Sequence, residues 1–345
     1  MELDFILNGK ATGPVASKLI ANDMDTGILR PFIGNDGRAY ATINGRNELV
    51  ANATLRKDEW KMFDEAILKV ARERLLGVQD LISRGLTYST DGLGTTVLEY
   101  EDMSDIEGAQ LSMDGSTRGK KDRPEFGINY LPLPIVHKDY QLNARNLAAS
   151  RKLGNALDTT MAELAGRKVA EYLETMLFTG ASTYAYGGGT IYGYLDFPTR
   201  IQVTLTAHWN DSAADGETML ADVLAMKQAS IEKKYFGPWV LYIPTNFETA
   251  MDEDFKANSD KSVRQRIMEV AGISDIRVAD HLTADNVLLV QMTSDVIRLV
   301  QGLAIQTVEW SVEGGMITNY KVMAIMVPQP RSDQEGNCGI VHGSK

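Results

Sequence analysis

Along residues 157–178, apolar side chains recur at Leu157, Met161, Leu164, Ala165, Val169, Tyr172, Leu173 and Met176, the spacing of one helix face. Thr160 and Glu163 stand at capping-box spacing, Asp158 and Thr159 offer further N-cap oxygens, and Gly180 supplies a C′ stop. At ~1.5 Å per residue such a helix is roughly 33 Å long, enough to cross a domain as its spine. A shorter helical stretch, 145–153, precedes it and is broken off by Gly154. Residues 55–78 carry a second stripe, Trp60, Phe63, Ile67, Val70 and Leu75, with Lys57, Asp58, Asp64, Glu65, Arg72 and Glu73 on the solvated face and Thr54 as N-cap. Further helices are predicted over 217–235, 246–255 and 262–270.

Between these helices the pattern alternates or turns. Thr96–Glu101 and Glu125–Leu142 read as the limbs of a long hairpin. Its tip holds Asp114-Gly115 and the charged residues Arg118, Lys120, Lys121, Asp122 and Arg123. A projection of that length usually contacts something. Pro132 and Pro134 cannot donate ladder hydrogen bonds, so the second limb is an edge strand or bent. Pro238–Ile243 is a buried-type strand, and strands follow at Ile273–Val278, Val287–Gln291, Val296–Val300, Thr307–Ser311 and Lys321–Val327, ahead of a Gly- and polar-rich tail. Strands come after helices without a βαβ cadence, which predicts an α+β fold in place of a doubly wound sheet. Residues 1–54 are punctuated by Gly and Pro and lack a sustained period. Yet Phe5, Ile6, Leu29 and Phe32 are among too many large apolar residues for a solvated tail, so an arm lying on another surface is expected.

Composition narrows the function. With 44% hydrophobic and 23% charged residues in 345, the chain can bury a core as one large domain or two modest ones. The net charge of −11, from 35 basic and 46 acidic residues, argues against a surface built to grip phosphates, though not against a protein that encloses nucleic acid. A single cysteine, Cys338, forms no intrachain disulfide and sits in a tail ill suited to a nucleophile. His137, His208, His281 and His342 are scattered and match no metal-ligand spacing. Gly187-Gly188-Gly189 is followed by no Lys-Ser or Lys-Thr, and reads as a flexible loop. Asp252 and Asp254 read as solvent-facing, and His208-Trp209 as a surface or packed loop pair. No catalytic, cofactor or metal site is expected, and no enzyme activity. The opening MELDFILNGK is no signal peptide and no apolar run is long enough to span a bilayer, which sets a soluble intracellular protein as the default.

Several runs, in a shared order from about Leu55 to Pro330, carry a resemblance. A helix ending Ala71-Arg-Glu-Arg-Leu-Leu precedes a long hairpin. Asn143-Ala-Arg-Asn-Leu-Ala-Ala-Ser-Arg151 leads into a helix that ends Leu177-Phe-Thr-Gly180. Ile191-Tyr-Gly-Tyr-Leu-Asp-Phe-Pro198 resembles an I-x-G-L-x-N-x-P segment, with Tyr194 for the usual Leu and Asp196 for the usual Asn. Ile267–Val278 resembles the segment leading to a central sheet, and Val300-Gln-Gly-Leu-Ala-Ile305 a V-x-G-Q-D-L turn. Together these resemble the major capsid proteins of tailed bacteriophages, of the Hong Kong 97-type fold that encapsulin shell proteins share.

The resemblance implies an N-terminal arm (1–54), the first helix of a peripheral domain (55–85), an extended loop (86–138), the peripheral domain with its spine helix (139–182), a mainly axial domain (183–300), return strands (301–330) and a C-terminal tail (331–345). It implies a homo-oligomeric shell of pentamers and hexamers around packaged double-stranded DNA bound without sequence specificity. Decoration, portal and scaffolding proteins are implied as further partners, a membrane is not, and the place is the virion capsid, assembled in the host cytoplasm. The arm residues and the loop tip are expected on neighbouring subunits. An encapsulin-type compartment is the first alternative and an enzyme with a noncontiguous site the second; the long irregular arm favours the phage head. No large N-terminal scaffolding domain is expected. Lys120, Lys121 and Asn337 are candidates for the lysine–asparagine crosslink of some such shells, but their hydrated, Gly-rich settings predict a noncovalent shell.

Overall fold

A computed structural model describes residues 5–7, 10–12, 32–33, 39–43, 46–49, 57–103, 113, 126–145, 159–211, 214–256, 260–312, 316–333 and 335–345. Strand β13 (Trp239–Pro244) is buried at every position, and this is why its sequence, WVLYIP, shows no alternation. It lies inside a five-stranded sheet with β12 (Ile201–Thr204), β14 (Ile273–Ala279), β15 (Asn286–Gln291) and β18 (Ile340–Ser344), in the order β12-β18-β15-β13-β14. Its two faces feed different cores. Val240, Tyr242, Leu288, Val290 and Ile340 point into the larger one. Trp239, Leu241, Ile243, Val287, Leu289 and Val341 point into the other.

The second core is closed by α4 (Gly216–Glu232) and α6 (Val263–Met268). Both begin where the sequence offers an N-cap oxygen. The Asp215 carboxylate accepts from the Thr218 N–H at 2.9 Å and the Ser262 hydroxyl from the Gln265 N–H at 3.4 Å. The helix expected over 246–255 is shorter than its pattern: a 3-10 turn at Thr245–Phe247 leads into α5 (Glu248–Met251).

The larger core lies beneath the spine, α3 (Thr160–Thr179), which rests on a four-stranded sheet of order β6-β16-β17-β9. The strands are β6 (Thr87–Ser89), β16 (Ile297–Val312), β17 (Ile317–Pro330) and β9 (Val136–Asn143). The two expected strands Val296–Val300 and Thr307–Ser311 are one, β16, interrupted by irregularities between Gln301 and Gln306 that hid its period. The first helix is likewise two, α1 (Lys57–Arg74) and α2 (Leu76–Ser83), parted at Leu75. The long hairpin is present: β7 (Val97–Met103) pairs antiparallel with β8 (Phe126–Pro132), and the limb bends through Leu133-Pro134-Ile135 into β9.

Three expectations need correction. The tail over 331–345 ends as β18, hydrogen-bonded on both sides inside the sheet, with Cys338 buried. Its short apolar core, Ile340-Val341, was masked by flanking glycines and polar residues. Gly187 and Gly188 (φ 60° and 83°) form the tight turn of a hairpin, β10 (Ala181–Tyr186) with β11 (Gly189–Ile191), so this is ordered antiparallel structure and not a loose loop. The arm contains strands: β1 (Phe5–Leu7) pairs with β2 (Lys10–Thr12), and β3 (Phe32–Ile33), β4 (Ala39–Ile43) and β5 (Arg46–Leu49) form a small sheet. Runs of two to five residues are too short to show a period. Thr54, Asp114-Gly115, the 145–153 helix beyond Arg145, Gly154, Leu157 and Asp158 lie outside the described residues.

The ends of the spine show why its sequence reads as it does. Thr159, one of the three N-cap candidates, takes that position; its own backbone is helical, so its hydroxyl meets the Glu163 carboxylate at 2.8 Å and caps no N–H. At the other end Gly180 (φ 79°, ψ −175°) turns the chain out into β10. Segment 193–196 then folds back over the helix end, where the Tyr194 N–H donates to the Leu177 carbonyl at 3.0 Å and the Leu195 N–H to Phe178 at 2.8 Å. These are two of the carbonyls a helix terminus leaves unpaired. Gly193 donates to Asp196 at 2.6 Å, and a Cβ on it would sit 2.4 Å from the Gly180 nitrogen and 2.8 Å from the Leu177 oxygen. Gly193→Ala is therefore expected to cost about 1–3 kcal/mol and to lower the melting temperature by several degrees in a thermal scan. An unchanged midpoint would show that this joint yields.

Candidate assembly surface and interdomain joint

The spine helix divides its apolar residues between two faces. Ala165, Val169, Leu173 and Met176 are buried as their spacing predicts, but Met161, Leu164 and Tyr172 of the same predicted stripe are 46%, 43% and 53% exposed. Positions 161, 164 and 172 share a face of α3 turned from the one that carries Ala165, Val169 and Leu173. Exposed Leu68 lies on α1, which packs beside α3. The hairpins add Ile128 and Tyr130 on β8, Ile135 beyond it, and Tyr184 and Tyr186 on β10. Large apolar residues gathered on a few neighbouring elements mark a surface that binds something.

Part of that surface is concave. A groove of about 330 Å³ runs between α3, the start of β9 and β10. Ile135, Tyr172 and Tyr184 give it apolar walls, and Lys138, Lys168 and His137 stand at its edge. The expected loop-tip contacts, Arg118, Lys120, Lys121, Asp122 and Arg123, lie outside the described residues, as does Leu29 of the arm. Phe5 and Ile6 fall in β1 and Phe32 in β3. Tyr40 of β4 packs against the larger core, so this part of the arm lies on the subunit's own body.

Beneath the surface, a buried polar cluster joins the helices to the five-stranded sheet. Glu174 on α3 is 2% exposed, and its carboxylate accepts from the N–H groups of Gly77 at 2.6 Å and Val78 at 3.3 Å. Those are orphan donors of the first turn of α2, whose own N-cap position is Leu75, so α2 is capped from another helix. One turn along α2, Asp80 accepts from the Tyr242 hydroxyl of β13 at 3.0 Å and pairs with Arg277 of β14 at 3.4 Å. The rings of Phe178, Tyr194 and Tyr242 pack edge-on or stacked above it. Burial raises the Glu174 pKa to about 7, the two backbone N–H groups oppose that, and the charges of Asp80 and Asp280 add to it. Burial likewise raises Asp80, outweighing Arg277 and the Tyr242 hydrogen bond.

Local motifs could not reveal this cluster, because its hydrogen bonds join residues about a hundred positions apart in chain order. One signal was there: Glu174 is four residues from Ala170 and three from Leu177, so the helical period itself puts a carboxylate on the buried face.

The residues weighed for chemistry are dispersed. The Cys338 thiol is buried and pushed up to about 12, which keeps it protonated and unreactive. His342 takes a hydrogen bond from the Arg200 Nε on Nδ1 at 3.3 Å and faces the Asn286 Oδ1 with Nε2 at 2.6 Å; burial lowers it to about 4, so it is neutral with its proton on Nε2. His281 meets the Thr175 hydroxyl, His208 lies beside Asp285, and His137 beside Asp139. Trp209 is packed, its indole N–H donating to Asp222 at 3.1 Å. Asp252 and Asp254 are exposed, the former paired with Arg264. Asn337 is held by Asp333 and Glu335, a firmer setting than a glycine-rich tail suggests. Among the described residues no cluster of three or more His, Cys, Asp or Glu could hold a metal ion.

Comparison with known proteins places this geometry. Over 245 residues the chain is 24% identical to the type 1 encapsulin shell protein EncA of Myxococcus xanthus (strain DK1622), covering 69% of this chain and 73% of that protein. It superposes on the virus-like particle of Pyrococcus furiosus with a TM-score of 0.60 at 16% identity, over 82% of this chain and 98% of the other. The capsid of Myoviridae phage XM1 gives a TM-score of 0.57 at 11% identity, over 76% and 90%. The helix-on-sheet body with its β7–β8 hairpin is thus the Hong Kong 97-type α+β fold, and the chain belongs to the family described as "Family of unknown function (DUF6260)", which matches residues 49–343.

Proposed function

We propose that the chain is a structural shell subunit: a major capsid protein that self-assembles through pentamers and hexamers into an icosahedral head around the double-stranded DNA of a tailed phage. The observation that carries this reading is the fold's coverage of nearly the whole virus-like-particle subunit. The exposed apolar faces of α3, β8 and β10 support it, since a closed symmetric shell gives each such surface a partner. In this reading the subunit is not an enzyme. The loop tip, Arg118 and Lys120–Arg123, and the arm residues Phe5, Ile6, Leu29 and Phe32 contact neighbouring copies, and assembly takes place in the host cytoplasm. The reading keeps the seven segments expected from the sequence, with 331–345 joined to the 183–300 segment because β18 pairs with β12 and β15. No described helix is long and apolar enough to cross a membrane.

An encapsulin-type compartment is the second reading, favoured by the likeness to EncA. Residues 13–31 of the arm, which bear on this choice, lie outside the described residues. The purified chain is expected to elute as megadalton particles that appear closed and uniform in negative stain. A small oligomer at all concentrations would overturn the shell reading. Particles from the native source that keep nuclease-protected double-stranded DNA identify the phage head; particles holding protein cargo identify the compartment. Boiling in detergent and reductant is expected to return one band near 38.0 kDa, and a surviving ladder would show covalent links.

A further inference from the structure

We infer that the cleft between the root of the long hairpin and the end of β17 receives a carboxylate side chain from a second copy of this chain. The inference rests on the shell reading and adds a specific polar contact to it. The cleft has a volume of about 300 Å³ and is walled by Ile128, Tyr130, Gly189, Phe197, Thr199 and Arg331. Two of its lining residues, Arg331 and Thr199, carry buried unpaired donors, and Gln329, two residues before Arg331, carries a third outside the lining. The Arg331 Nε, the Gln329 Nε2 and the Thr199 Oγ1 are buried atoms that make no hydrogen bond to protein. Gln329 is 1% exposed, and its Oε1 is already taken by Arg298, whose Nε and Nη2 lie at 3.2 and 2.9 Å. Its amide nitrogen is what remains to be satisfied. Strand alternation puts Arg298, paired opposite Gln329, and Arg331, two residues on, on the same side of the sheet as Gln329.

Buried donors in native proteins are almost always paired, so several together call for an acceptor. The charge calls for the same thing. Arg298 lies over the Tyr88 ring at 5.2 Å, and burial together with the charge of Arg331 holds its pKa down. Arg331 has one long contact from Nη1, 3.5 Å to the Ser294 carbonyl. Among the described residues neither guanidinium forms an ion pair with a carboxylate. Arg331 and Thr199 in the lining match the lone pairs of one carboxylate, with bidentate pairing to the guanidinium, while Arg298 and Gln329 beside them add positive charge and a further donor.

The source follows from the surroundings. The cleft mouth is framed by Ile128 and Tyr130, 56% and 41% exposed, continuous with the apolar hairpin surface. A free inorganic anion would leave that rim in water, whereas a side chain on a covering subunit buries the rim and fills the cleft together. Each copy brings an acidic surplus, 46 acidic against 35 basic residues.

The test is a reconstruction of the assembled particle together with Arg331→Gln. A neighbouring subunit's Asp or Glu within ion-pair distance of Arg331 is the expected result. The variant is expected to melt within a few degrees of wild type while its assembled fraction, read by light scattering, falls roughly tenfold. Reversing the pair, with Arg331→Glu and a lysine in place of the neighbour's acid, is expected to restore particles. An isolated anion, water alone, or a cleft uncovered in the shell overturns the inference while leaving the shell reading intact. So does an Arg331→Gln variant that assembles normally. If the wild-type chain forms no large particles, the shell reading fails, and the covering subunit fails with it.

Discussion

Removing Cys338–Lys345 is expected to leave no folded subunit. A tail could be trimmed without harm, but these residues form β18, which pairs with β12 on one side and β15 on the other. Without it the five-stranded sheet splits in two. Ile340 and Val341 are fully buried, one in each core. Burying each contributes about 1.5–3 kcal/mol, and the lost ladders expose backbone groups on both neighbouring strands. Together this approaches the roughly 5–15 kcal/mol by which a domain is stable at all. Val341→Asp is expected to act almost as severely, because it places an unpaired charge in the core beside α4. Soluble yield and far-ultraviolet circular dichroism read both. A truncated chain that melts within a few degrees of the intact one would mean that β12 and β15 close the sheet without it.

Stability is expected to fall as pH rises from about 4.5 toward 7, and Glu174→Gln is expected to remove most of that fall. The Glu174 pKa is raised from 4.5 to about 7 in the folded subunit, so folding favours the protonated form. The stabilisation is complete below the unfolded pKa, shrinks as pH climbs, and is gone once pH passes the folded pKa. The span corresponds to about 3 kcal/mol. Burial wins here over the N–H groups of Gly77 and Val78. Glutamine keeps an acceptor for α2 and never ionises. Asp80, itself raised by burial, contributes a fall of the same sign and is left in place by the substitution. Denaturant unfolding of the dispersed subunit at pH 5 and pH 8 measures both chains. Equal slopes for wild type and Glu174→Gln would assign the pH dependence elsewhere.

What could be read from the chain in advance follows from how far apart the cooperating residues are. The spine, α4, α6, β13 and the hairpin limbs declare themselves through local period and caps, because each buries one whole face or all of its length. The inner half of the spine's stripe was legible and its outer half misleading: Met161, Leu164 and Tyr172 obey the same spacing, yet face away from the subunit's own core. Periodicity reports that a side chain is apolar and not whose core it enters. Strand β18 was lost because two apolar residues between glycines carry no period, and the register that buries them comes from β12 and β15. Glu174 and Asp80, or Arg331 and Thr199, become sites only after the fold brings distant segments together.

The position of β18 also sets a clock. Its partners β12 and β15 leave the ribosome well before it does, and for that interval they have edges where an interior strand belongs. The sheet closes, and both cores with it, only when β18 arrives. A chain whose synthesis stops early therefore lacks the finished surface that other copies would recognise. Synthesis through β18 becomes the licence to join, and chains broken off before it are excluded with no separate inspector.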